Sequence, residues 1–272
     1  MGCGPGTLTP SRDGPRVRMM LDPSTTPVGL LLSGGLDSCI LLGRLLDEGH
    51  QVQPFYVRSG LVWQRAELRA AERFLRAVDC RQLADLVILD LPLGDLYGRH
   101  WSVTGQETPD AASPDGAVYL PGRNALLVIK AALWCRLHGI DRLALAVLRS
   151  NPFGDATPEF FDDFESALYR ATGRRVRIVR PFAQFDKRQV MDLGQGLPLE
   201  LTFSCIAPVR GTHCGRCNKC AERNAAFRLV GADEPTRYGT GRKKGTGPIC
   251  AKHPTGRSGK LDLSPFSSVR GE

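Results

Sequence analysis

A short apolar run over 28–32 breaks off at Ser33-Gly34-Gly35, and the apolar residues that follow, Ile40, Leu41, Leu42, Leu45 and Leu46, recur at helical spacing. This pattern predicts a strand, a glycine turn and a helix over 38–47. The alternation then repeats along the chain. Strands are expected over 52–57, 86–91, 142–148 and 176–179, and helices over 63–78, 125–138 and 158–172. The third helix is opened by Pro121-Gly122-Arg123-Asn124. Between 94 and 115 the chain is polar and contains Gly and Pro, which predicts a long loop. Strands alternating with helices imply an α/β fold with a Rossmann-like doubly wound parallel sheet, covered on both faces. No internal repeat is present.

Composition narrows this picture. With 272 residues, 42% hydrophobic and 24% charged, the chain can bury one substantial core and a small appendage. No apolar run approaches the ~20 residues that span a bilayer, and the start lacks the pattern of a secretory signal. A cytoplasmic protein without a membrane partner is expected. The net charge is +8, but the segment 237–272 supplies +6 of it and is rich in Gly, Ser and Pro. That segment reads as a basic disordered tail. Residues 1–26 read as a disordered leader, with Met19 and Met20 available as alternative starts. The nearly neutral body has no electrostatic footprint for a duplex, so no stable nucleic-acid partner is expected.

The turn after the first strand carries candidate chemistry. Ser33-Gly34-Gly35-Leu36-Asp37-Ser38 lets backbone amides approach an anion without an intervening Cβ. The helix behind it presents free N–H groups and its positive dipole end to a phosphate. Ser33 and Ser38 can add hydroxyl donors. Asp37 would repel a phosphate unless a cation stood between them, so Mg²⁺ coordination is its expected role. The expected nucleotide-binding stretch is Leu32, Ser33, Gly34, Gly35, Leu36, Asp37, Ser38, Cys39, Ile40, Leu41 and Leu42. The Gly-Lys-Ser/Thr of a Walker A loop is missing. The motif resembles the pyrophosphate loop of the ATP pyrophosphatase superfamily. That resemblance implies cleavage of ATP between the α- and β-phosphates, with an adenylated intermediate, at the carboxyl ends of the strands.

Nine cysteines are unevenly used. Cys3, Cys39, Cys80, Cys135 and Cys250 are scattered and read as packed thiols. Cys205, Cys214, Cys217 and Cys220 form a C-x8-C-x2-C-x2-C cluster. In a reducing compartment such spacing argues for metal rather than disulfides. Four thiolates with no open position describe a structural Zn²⁺ site, and an iron–sulfur cluster takes the same ligands. With four cysteines at hand, His213 reads as a surface residue. The chain is thus divided into the leader, an ATP pyrophosphatase α/β domain over 27–190, a small C-terminal helical zinc-binding subdomain over 191–236, and the tail.

Taken together, the phosphate loop and the cysteine spacing resemble the 7-cyano-7-deazaguanine synthase family over about 28–235. Further matching segments are Tyr119-Leu120-Pro121-Gly122-Arg123-Asn124, Asp155 with Pro158-Glu159-Phe160, the run 198–205, and Lys187 ahead of a helix. The resemblance implies an ATP-dependent C–N ligase, a nitrile-forming synthase of queuosine precursor biosynthesis. Its small-molecule substrates would be 7-carboxy-7-deazaguanine, ammonia and ATP. Asp37, Arg123 and Lys187 are the implied catalytic residues. Substrate contacts fall on Arg123, Phe153, Asp155 and Glu159, and a homodimer is compatible with this reading. Where the family usually carries Asn-x-x-Asp followed by Ser-Gly-Tyr-Pro-Asp, this chain has Leu148-Arg149-Ser150-Asn151-Pro152-Phe153-Gly154-Asp155.

Two other readings stand beside it. One is a divergent adenylating ligase, or a tRNA-thiolating relative, of the same superfamily. Thiolation calls for a reactive cysteine near ATP, whereas Cys39 and Cys135 fall on apolar helices. The other is a zinc-knuckle nucleic-acid binder using the basic tail, which would not need Asp37 or the glycine loop.

Overall fold

The computed structural model describes residues 27–239; the expected leader over 1–26 and, of the expected tail over 237–272, residues 240–272 lie outside the described residues, while Gly239 N–H donates to His213 O at 2.8 Å. Five strands, β1 (Val28–Leu31), β2 (Val52–Arg58), β3 (Val87–Asp90), β4 (Arg142–Ala144) and β5 (Arg177–Val179), form one sheet in the order β3-β2-β1-β4-β5. Every pairing is parallel. The order reverses between β1 and β4, which leaves a crevice beyond their carboxyl ends.

Helices cover both faces, as the apolar central strand β1 requires. On one side α1 (Leu36–Asp47), α2 (Gln64–Ala77), α7 (Lys187–Leu193) and α8 (Asn218–Leu229) bury Ile40, Leu41, Phe74, Val190 and Phe227 with Leu30. On the other, α5 (Arg123–Leu137) and α6 (Pro158–Thr172) bury Val128, Cys135, Phe161 and Leu168 against Phe55, Leu143 and Ile178. The second packing is close. A Cβ on Gly29 of β1 would lie 2.8 Å from Cys135 Sγ and 3.0 Å from the Phe55 ring. Within 191–236, α8 places Ala226 and Phe227 in the same cluster as α1, and Phe203, Ile206 and the four clustered cysteines pack with Leu61, Trp63 and Ala70. Cys39 and Cys135 are buried as expected.

The structure departs from the sequence pattern in two places. The expected loop over 94–115 holds two one-turn helices, α3 (Gly94–Tyr97) and α4 (Trp101–Thr104). Each ends at a glycine with positive φ, Gly98 at 54° and Gly105 at 73°, and such short elements leave no periodicity to detect. They bring Trp101 against Trp63, ring centroids 5.7 Å apart. The strand expected over 142–148 also ends early, at Ala144. Leu145 still donates its N–H to Val179 O at 2.9 Å, but 145–147 then leave the ladder to wall the crevice. Among the described residues, no helix is long and apolar enough to cross a membrane.

Candidate active site and metal centre

The turn between β1 and α1 is held by its own side chains. Ser33 and Ser38 hydroxyls lie 3.0 Å apart, and Ser38 Oγ donates to Gly35 O at 3.2 Å. The N–H of Ser33 donates to Ser38 Oγ at 3.2 Å. Gly34 sits at φ 77°, and a Cβ there would meet Glu67 O at 2.8 Å and Ala71 N at 3.0 Å. Only glycine fits both the left-handed backbone and the approach of α2. No side chain caps α1 at Gly35, so its first-turn N–H groups are left for an incoming anion.

The loop opens onto a cavity of about 350 Å³ at the β1/β4 reversal, lined by Leu32, Ser33, Gly35, Leu36, Asp37 and Ser38 together with 145–147. A second cavity of about 380 Å³ adjoins it and shares Asp37, Asn151 and Lys187. At the junction Lys187 Nζ donates to both Asp37 oxygens, at 2.8 and 2.9 Å, and lies 3.7 Å from Glu222 Oε1. Burial alone would depress the Lys187 ammonium, but Asp37 and Glu222 outweigh it and hold it above the ordinary lysine range. Lys187 is the first residue of α7, fixed there by a capping box between Asp186 and Gln189.

The first cavity is lined as well by Tyr56 of β2, Glu67 of α2 and Arg123 of α5, with Trp63, Trp101 and Leu120 as apolar walls. Tyr56 Oη lies 2.8 Å from Glu67 Oε2 and 3.2 Å from the Gln64 carbonyl oxygen. Burial pushes the Glu67 carboxyl up to about 7, with Arg123 and the Tyr56 hydroxyl pulling the other way. Among the described residues Arg123 Nε is buried without a hydrogen-bond partner, so this guanidinium is left with capacity for a ligand.

The expected residues divide accordingly. Asp37, Lys187, Arg123 and the loop from Leu32 to Ser38 meet at one cavity system, whereas Cys39, Ile40, Leu41 and Leu42 are fully buried in the core beneath it. Phe153 lines the second cavity and stacks on Tyr119 at 4.9 Å. Asp155 lines neither cavity. It is buried and accepts from Asn124 N–H at 3.0 Å, while Asn124 Nδ2 donates to Asp155 O at 3.1 Å. It thereby holds the start of α5, which Gly122 leaves without a side-chain cap. Glu159 is exposed in the first turn of α6, away from both cavities. Glu67 and Tyr56 escape the sequence reading, although each is a polar residue inside an apolar pattern. Glu67 falls on the α2 stripe with Ala66, Ala70 and Phe74, and such an interruption is the signal that could have found it.

Cys205, Cys214, Cys217 and Cys220 are all buried, and their sulfurs lie within 4.8 Å of one another. Cys205 and Cys217 sulfurs are 3.8 Å apart, and those of Cys214 and Cys220 are 3.9 Å apart. A tetrahedron with Zn–S bonds of about 2.3 Å has edges of about 3.8 Å, so the donor set fits that ion. Amides of Ala207 and Cys214 donate to Cys205 Sγ at 3.4 and 3.3 Å, as they would to a thiolate. His213 is not at the surface. It is buried, and Nε2 accepts from Ser204 N–H at 3.1 Å, because the chain must turn tightly between two ligands and needs an acceptor there.

A family model described as queuosine biosynthesis protein QueC matches residues 28–231. A 7-cyano-7-deazaguanine synthase from Methanothermobacter thermautotrophicus is 31% identical over 223 residues, covering 76% of this chain and 97% of that protein. One from Thiobacillus denitrificans is 32% identical over 227 residues, covering 77% and 96%. Among solved structures, a U34-tRNA thiolase NcsA from Methanococcus maripaludis with its [4Fe-4S] cluster matches at TM-score 0.42 and 12% identity, over 76% of this chain and 71% of that one.

Proposed function

The chain belongs to the queuosine biosynthesis protein QueC family, and from that premise we propose that it converts 7-carboxy-7-deazaguanine, ammonia and ATP into 7-cyano-7-deazaguanine. The observation that carries this reading is the meeting of the glycine loop, the Asp37–Lys187 pair and Arg123, with its Nε free of a hydrogen-bond partner among the described residues, at one cavity. A carboxylate is a poor electrophile, since its charge repels a nucleophile and oxide does not leave. Its oxygen therefore attacks the α-phosphorus of ATP, releasing pyrophosphate. Ammonia then bonds the carbonyl carbon, AMP departs with the old oxygen, and an amide results. A second ATP activates the amide oxygen in the same way. Loss of AMP and the nitrogen-bound protons leaves the nitrile.

Negative charge gathers on phosphate oxygens in both adenylations, so preorganised donors and cations at that point lower the barrier most. We assign the pyrophosphate to the first-turn amides of α1 and the Ser33 and Ser38 hydroxyls, and the α-phosphate to Arg123 and Lys187. Asp37 is the residue that would hold Mg²⁺, which supplies charge neutralisation to the phosphates when bound. The four cysteines would hold Zn²⁺ as a structural ion, keeping 203–220 folded over the loop. Support for an enzyme rather than a nucleic-acid binder comes from the synthase relatives and from the near-neutral body.

The test is direct. Purified protein with ATP, ammonia and 7-carboxy-7-deazaguanine should yield the nitrile by mass, with about two AMP and two pyrophosphates per product. Release of ADP and phosphate, or no nitrile from a protein that binds ATP and metal, would overturn this assignment.

A further inference from the structure

The two-step conversion sheds protons that none of the residues assigned so far to the phosphates or the metals takes. Arg123 and Lys187 are cations, Asp37 pairs with Lys187 and is assigned to Mg²⁺, and Glu222, which also lines both cavities, is paired with Lys187 and Lys219. Glu67 is placed differently. Tyr56 is the donor that reaches its carboxylate among the described residues, and Arg123 acts on it electrostatically without an ion pair forming between them. The hydrogen bonds around it can be completed in both protonation states. As a carboxylate, Glu67 Oε2 accepts the Tyr56 O–H at 2.8 Å. As an acid, it donates to Tyr56 Oη, and the phenol proton turns to the Gln64 carbonyl at 3.2 Å. Neither state strands a buried partner, which is what a group that gains and loses a proton in a low-dielectric cavity needs.

We propose that Glu67, poised by Tyr56, is the proton acceptor when ammonia displaces AMP from the activated carboxyl. As the C–N bond forms and the C–O bond to AMP breaks, one N–H proton passes to the Glu67 carboxylate, which then releases it to solvent. The groups facing Glu67 are Tyr56 from β2, Arg123 from the start of α5 and the buried Cys39 thiol of α1. A buried carboxyl titrating near neutrality suits that task, because a base works best with its proton affinity near the working pH. This proposal rests on the nitrile-forming reading and deepens it.

The experiment separates the half-reactions. Carboxylate-dependent exchange of labelled pyrophosphate into ATP reports adenylation, and single-turnover amide formation across pH 5.5–9 reports the ammonia step. Glu67→Gln should keep exchange within about threefold of the wild type, while amide formation falls on the order of 10²–10³-fold and loses its rise near pH 7. Tyr56→Phe should shift that rise without abolishing it, and Glu67→Asp should recover part of the rate. Hydroxylamine, a nucleophile that needs less help losing its proton, should trap the adenylate in Glu67→Gln nearly as fast as in the wild type. Amide formation undiminished in Glu67→Gln would overturn the role, and so would parallel loss of exchange and amide formation with a raised KM for the deazaguanine. If the wild type itself shows no carboxylate-dependent exchange, the nitrile-forming reading fails, and the role of Glu67 with it.

Discussion

Replacing Asp155 by alanine separates a structural carboxylate from one that reads substrate. Its Oδ2 accepts the Asn124 N–H at 3.0 Å, at the amino end of a 15-residue helix that has no side-chain cap of its own. Losing a charge-assisted hydrogen bond to this half-buried donor costs about 1.5–3 kcal/mol. Removing a negative charge from a helix amino terminus adds about 0.3–1 kcal/mol. Asp155→Ala is therefore expected to lose about 2–4 kcal/mol, or roughly 4–16 °C in Tm for a domain of this size. Asp155→Asn keeps an acceptor oxygen but not the charge, and should lose about half as much. Urea denaturation of the two variants beside the wild type, at unchanged m, measures this. Because Arg123 is the first residue of α5, kcat should fall with the loosened helix end more than KM for the deazaguanine rises. Stability within about 0.5 kcal/mol of wild type, combined with a large rise in that KM, would show that Asp155 faces substrate and would refute the capping argument.

Other consequences follow from the same geometry. Gly34→Ala imposes positive φ on a residue with a Cβ and drives that carbon into the backbone of α2, a strain of about 1–3 kcal/mol; ATP affinity by calorimetry should drop at least about tenfold. Glu67→Gln should become more stable than the wild type as pH rises. The folded-state value of about 7 lies above the ordinary 4.5, so the folded chain keeps a proton that the unfolded chain has lost, and wild-type stability falls through that window. The difference approaches about 3 kcal/mol at most above pH 7, less as water reaches the carboxylate, and thermal melts at pH 5 and pH 8 read it out. Elemental analysis should find about one zinc per chain, and Cys217→Ser should lose it together with several degrees of Tm; iron with a visible absorption band would contradict the assignment.

The parts legible in the sequence are those whose physics is local. A strand, a glycine turn and a helix are legible within ten residues, and the two-residue gaps between Cys214, Cys217 and Cys220 keep their sulfurs near enough to gather with that of Cys205. Four of the five strands were placed within a residue or two for the same reason. What escaped depends on contacts between distant segments. Asp155 is paired with a helix 31 positions away, and nothing in Pro152-Phe153-Gly154-Asp155 reveals that. Glu67 and Tyr56 acquire meaning only once β2 and α2 face Arg123 across a cavity. The α3 and α4 turns are too short to imprint a period, and their position is decided by the contact of Trp101 with Trp63.

One backbone hydrogen bond ties the two signatures together. Phe203 N–H donates to Gly34 O at 2.7 Å, so the segment that leads into the first cysteine ligand also fixes the carbonyl at the heart of the phosphate turn. On the proposed function, an ion and a nucleotide held on either side of this contact are thermodynamically linked. Whatever factor the bound ion contributes to nucleotide affinity, the nucleotide must return to ion affinity. Titrating zinc release with a chelator in the presence and absence of ATP would measure that reciprocal factor without any catalytic turnover.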